Sequence, residues 1–73
     1  MGWLKRSEKE VLTLIGQGKT VPEIAKELFR APTTIETHKR NLLEKLELRN
    51  SYELVAYAIN NGFVKKQGEE QFL

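Results

Sequence analysis

The chain has 73 residues, of which 30% are charged and 40% hydrophobic, and carries a formal net charge of +2. That composition describes one small soluble domain with a core of limited size, too apolar for a disordered segment. It contains no cysteine and a single histidine, which excludes a disulfide framework, a thiolate metal site and a zinc centre. No apolar run is long enough to cross a bilayer and no signal-peptide pattern opens the chain. The expectation is a cytoplasmic protein that is not an enzyme and uses no cofactor, metal, membrane or small-molecule ligand in this segment.

Residues 1–6 read as an N-terminal extension without period, in which Trp3 and Leu4 are apolar enough to lie against a following helix. Ser7-Glu8-Lys9-Glu10 has capping-box spacing, with Ser7 as N-cap and Glu10 at the third helical position. Val11, Leu12 and Ile15 continue as a helical stripe with Leu14 at its margin, and Gly16 and Gly18 supply an exit. A first helix over 7–17 follows. Thr20 and Glu23 repeat the start signal, with Pro22 tolerated in the first turn. This second helix ends near Leu28 and turns Ile24, Ala25 and Leu28 inward, Ala25 being small enough for a close crossing.

Pro32 disfavours a helical Ala31 and suits the first turn of a new helix, so a third helix runs from Pro32 to Leu46 or Glu47. At about 100° per residue, Ile35, Leu42 and Leu46 fall within about 40° of one another. The opposite side carries Thr33, Thr37, Arg40 and Glu44, flanked by Glu36 and Asn41, with His38 and Lys39 on the borders.

Asn50 and Glu53 give the start signal a third time, and Asn61-Gly62 is an exit, which places a fourth helix over 51–61. It is apolar almost all round. Leu54 and Ala58, four apart, belong inside, which leaves Tyr52, Val55, Ala56 and Ile59 as an exposed strip suited to a homodimer. Cover from the Trp3 and Phe63 segments is the alternative. Phe63 and Val64 can pack back on the body, whereas residues 65–73 have no period and are expected to fray. The fold class is all-α: a four-helix bundle over 7–64, with helices two and three as a central helix-turn-helix.

A short helix, a tight turn and a longer polar-faced helix is the layout of a DNA reader. Charge distribution supports it. Between positions 30 and 49, Arg30, Lys39, Arg40, Lys45 and Arg49 face Glu36, Glu44 and Glu47, five minus three, while the other seven basic and seven acidic residues cancel. The whole surplus therefore sits where phosphates would need it, although interleaved charges of this kind also describe a solvated helix face.

The order Leu4, Glu8-Lys9-Glu10-Val11-Leu12, Gly18, Glu23-Ile24-Ala25, Leu28, Thr34-Ile35, Thr37-His38, Asn41-Leu42, Lys45-Leu46, Leu54 and Ala58 resembles the LuxR/FixJ/NarL-type DNA-binding domain, including its stand-alone GerE-like regulators. The match covers residues 4–64 and draws on four consecutive helices. The resemblance implies a bacterial transcription regulator, commonly the output domain of a response regulator, dimerising through its fourth helix on double-stranded DNA. It further implies that Glu36, Thr37 and Arg40 face base edges and that Thr34, His38, Lys39 and Asn41 lie near phosphates. The outward Thr33 joins the phosphate group, and so does Arg30, which stands where the family is commonly apolar. Arg40 suits guanine, Thr37 a thymine methyl and Glu36 a cytosine amine. Glu36 is equally suited to a solvated charge near the helix start, and His38 to packing against the first helix.

Ala31 departs from the family's common serine and deprives the third helix of its side-chain cap, and Glu36 replaces a frequently basic residue. RNA polymerase is a further candidate partner. The competing functions are a sigma-factor region-four-like module that binds DNA and polymerase, and a protein-interaction or dimerisation module that never touches DNA.

Overall fold

Four helices and no strand make up the described part, residues 4–64, of the computed structural model: α1 (Arg6–Gly16), α2 (Val21–Leu28), α3 (Pro32–Leu46) and α4 (Ser51–Asn60). The expectations for Trp3 and for the 65–73 tail lie outside the described residues.

Two of the three expected helix caps form at the residues named, and α3 begins at Pro32 as expected. Thr20 caps α2: its hydroxyl accepts from the Glu23 N–H at 3.4 Å, and the Glu23 carboxylate accepts from the Thr20 N–H at 2.8 Å. Asn50 caps α4 by accepting from the Glu53 N–H at 3.0 Å. The return bond there slips by one residue, because the Glu53 carboxylate takes the Arg49 N–H at 2.7 Å.

The start of α1 corrects the sequence expectation. Ser7 is not its N-cap; the helix begins at Arg6 with Lys5 in the cap position, and Glu8 rather than Glu10 reaches back to the Lys5 N–H at 3.0 Å. The cause is burial upstream. Leu4 is only 4% exposed, so the incoming chain is drawn onto the core and turns helical sooner. The packed body thus reaches back to Leu4, three residues into the stretch read as an extension.

The turns that orient α3 close on non-glycine residues in the left-handed region. Phe29 ends α2 at φ 56° and Glu47 ends α3 at φ 56°. Each exit is closed by a bond back into its helix, Arg30 N–H to Ala25 C=O at 2.9 Å and Leu48 N–H to Leu43 C=O at 2.8 Å. Ala31 gives α3 no side-chain cap, as its methyl group dictates.

α1 is the hub, packing against α2, α3 and α4. Val11, Leu12, Ile24, Ile35, Leu42, Leu54 and Ala58 have no exposed surface, and Leu4, Leu14, Ile15 and Ala25 nearly none. Burying a side chain of the Leu or Ile kind contributes about 1.5–3 kcal/mol, so Ile35 and Leu42 are the chief anchors of α3. Gly16, read as part of a helix exit, has a different role. A Cβ there would lie 2.7 Å from both Ala58 Cβ and Val64 Cγ2, so its missing side chain is what lets α4 and the following segment close on α1. Gly18, at φ 89°, makes the exit. Phe63 then folds back with its ring 6.5 Å from that of Tyr57, and Val64 rests half-buried on the core.

Candidate nucleic-acid interface

The interface is assembled from the side of α3 that α1 and α2 leave uncovered. Ile35 and Leu42 seat the helix with no exposure, and on the far side Thr33, Glu36, Thr37, Arg40 and Glu44 are all exposed. Thr33, Thr37, Arg40 and Glu44 are spaced by four, three and four residues, which keeps them on one face. Glu36, Thr37 and Arg40 are therefore brought together at the surface.

Thr37 is further organised by its helix. Its hydroxyl donates to the Thr33 carbonyl at 3.0 Å, which commits the proton and leaves a methyl group and oxygen lone pairs to offer. The phosphate candidates form a rim. Arg30 and Thr33 are exposed at the N-terminal end, while Thr34, His38, Lys39 and Asn41 are half-buried on the flanks. Half-burial suits that task, since a long side chain packs its stem and extends its polar end. His38 Nδ1 is sealed without a hydrogen-bond partner, and the ring borders a cavity of about 270 Å³ lined also by Ser7, Glu10 and Leu28.

The charge distribution changes in one respect. Lys45, counted from sequence among the cations available to phosphate, donates to the Glu8 carboxylate at 2.8 Å. Glu8 is 2% exposed, and the same oxygen also accepts the Lys5 N–H at 3.0 Å. Burial pushes its carboxyl up, but the Lys45 and Lys5 hydrogen bonds and their charges more than offset this and hold it below the ordinary glutamate value. The pair escaped the sequence reading because both residues look like surface charges 37 positions apart. A signal was present all the same: Glu8, Val11, Leu12 and Ile15 stand at i, i+3, i+4 and i+7, so the acid lies on the buried stripe.

The α4 strip is less uniform than expected. Tyr52 is 87% exposed and Ala56 is exposed, but Ile59 and Val55 are half-buried, and Val55 packs on the core. Among the described residues there is no cluster of His, Cys, Asp or Glu able to hold a metal, and no helix long and apolar enough to cross a membrane.

A fixed helix pair presenting one polar, partly cationic face defines the class: a helix-turn-helix domain of the DNA-binding, transcription-regulating kind. The family model for bacterial regulatory proteins of the luxR family matches residues 4–58. The oxygen regulatory protein NreC of Staphylococcus carnosus is 43% identical over 56 residues, 77% of this chain and 26% of that protein. The transcriptional regulatory protein LiaR of Bacillus subtilis is 41% identical over 61 residues, 84% of this chain and 29% of its own. The response regulatory protein YgeK of Escherichia coli is 41% identical over 59 residues, covering 81% of this chain and 40% of that protein. The chain belongs to the luxR family of bacterial regulatory proteins, as its resemblance implied, and it spans between 26% and 40% of the length of these three relatives.

Proposed function

We propose that this chain is the sequence-reading output domain of a bacterial transcription regulator, with α3 lying in the major groove of double-stranded DNA. The observation that carries the reading is the division of α3 into a sealed side, Ile35 and Leu42, and an open side bearing Glu36, Thr37 and Arg40. Arg40 has the donor fork for guanine O6 and N7, Thr37 the methyl group for thymine, and Glu36 the acceptor for a cytosine amine. Arg30, Thr33, Thr34, His38, Lys39 and Asn41 hold the backbone on either side and fix register without choosing sequence. Two copies associate through α4 around Tyr52, Val55, Ala56 and Ile59, so that each complex reads two half-sites. The names of the relatives, an oxygen regulatory protein and a transcriptional regulatory protein among them, support a role in transcription regulation, which in bacteria takes place in the cytoplasm.

The test separates choice from grip. A duplex enriched from a random pool by the unchanged protein serves as the target, with a shuffled duplex as control. Arg40→Ala should lose about 1–3 kcal/mol of discrimination at one base position. Lys39→Ala should weaken target and control alike and lower the salt slope by about one. Parent-like binding by both variants would remove α3 from the interface.

A further inference from the structure

We propose that the ion pair between buried Glu8 and exposed Lys45 is a positioning device for DNA recognition, setting the rotation and pitch of α3 against α1; this deepens the DNA-reading proposal and rests on it.

Three observations carry the inference. First, the pair joins the first turn of α1 to the last turn of α3, with the Lys45 nitrogen 2.8 Å from a carboxylate that is 2% exposed. Second, the same Glu8 oxygen is fixed from behind by the Lys5 N–H at 3.0 Å, so the acceptor cannot follow a moving lysine without giving up its own helix start. Third, the other anchors of α3 are non-directional. Ile35 and Leu42 are apolar, and Leu43 and Leu46, nearer the C-terminal end, are only half-buried. Apolar burial is proportional to area and tolerates small rotations, whereas a charged hydrogen bond restrains the distance between its two ends.

The N-terminal end of α3 is held by the turn at Phe29, which the Arg30 N–H closes on Ala25. The C-terminal end is held by Lys45. Thr37 and Arg40 lie between these two points. A helix with its side chains is about 10–12 Å across, so turning α3 by about 20° moves an outward side chain by about 2 Å. Recognition constellations tolerate about 0.5 Å. A rotation too small to disturb the core is therefore large enough to spoil base readout, and the ion pair is the element that resists it.

Glu8 is buried and Lys45 reaches it from the surface, so replacing both by methionine removes the pair without stranding a buried carboxylate, which makes positioning separable from folding. The probe is the double variant Glu8→Met/Lys45→Met, with Glu8→Gln as a milder companion that keeps the shape and one oxygen. In DNA-free protein, residual dipolar couplings should report α3 turned or more mobile relative to α1 in the double variant, with a smaller change of the same kind in Glu8→Gln. On duplexes, the ratio of target to shuffled affinity should fall about tenfold or more in the double variant, the scale of one good base contact. Affinity for the shuffled duplex and its salt slope should stay at parent values, because Lys45 is not counted among the phosphate contacts. Parent-like helix orientation in the folded variants overturns the proposal, as does an unchanged affinity ratio. If the unchanged protein enriches no sequence at all, the DNA-reading proposal fails, while the helix orientation still decides whether the pair positions α3.

Discussion

α3 and α4 are alike on their inner sides and opposite on their outer ones. Both pack on α1, and each contributes two residues with no exposed surface, Ile35 and Leu42 from α3, Leu54 and Ala58 from α4. Outward, α3 shows threonines, two glutamates and an arginine, while α4 shows Tyr52 and Ala56. The means of attachment differ as well. α3 is tied by a charge pair across 37 positions, and α4 by close apolar approach to Gly16. Equal burial therefore does not mean equal surfaces: the polar outer face is the one proposed to meet DNA, and the more apolar one the face proposed to meet a second copy.

The largest test of that contrast removes the charged tie. Lys45→Met alone leaves the Glu8 carboxylate with only the Lys5 N–H and should cost about 1.5–3 kcal/mol by urea unfolding at neutral pH. The same tie makes stability depend on acid. Because the Glu8 carboxyl is held below its ordinary value in the folded state, its contribution is complete above the unfolded-chain value and is lost as pH falls through the folded one. Unfolding midpoints measured from neutral to acidic pH should fall in the parent and fall less in Glu8→Gln.

The corresponding test of α4 overfills its seat. Gly16→Ala places a methyl group 2.7 Å from Ala58 Cβ and should cost about 1–3 kcal/mol, with α3 left in place. The same change at Gly18, where nothing lies within 4 Å, meets only the φ of 89°. A smaller effect is expected for association. Val55 leans on the core, so Ala56→Glu is the cleaner probe of the proposed dimer, and sedimentation should show at least about a tenfold weaker association, or about 1.4 kcal/mol. Smallest are the caps. Asn50→Ala should destabilise by about 1 kcal/mol, and Ala31→Ser, by supplying α3 with the acceptor it lacks, should stabilise by a similar amount.

Which of these features were legible in the sequence follows from how local they are. The caps at Thr20 and Asn50 and the two sides of α3 depend on residues within a few positions of each other, and spacing alone locates them. Ser7 misled because its preference for the cap position was outweighed by Leu4, whose burial is a tertiary event. The Glu8–Lys45 pair and the Gly16–Ala58 contact each join separate helices, and no local pattern specifies which helices meet. Gly16 was visible as a glycine, yet its use as clearance differs from the conformational use that a helix end suggests.

The internal commitment of Lys45 has a consequence for how such a domain would search a genome. Of the charges on α3, Lys45 answers Glu8, which leaves Lys39 and Arg40 against Glu36 and Glu44. A helix in that balance gains little from counterion release, since each neutralised phosphate contributes only about 0.9 to the salt slope. If α3 reads DNA as proposed, dwell time on non-target duplex is correspondingly short and occupancy of a target depends on base contacts. On that reading, a lysine paired inside the fold trades indiscriminate adhesion for selectivity.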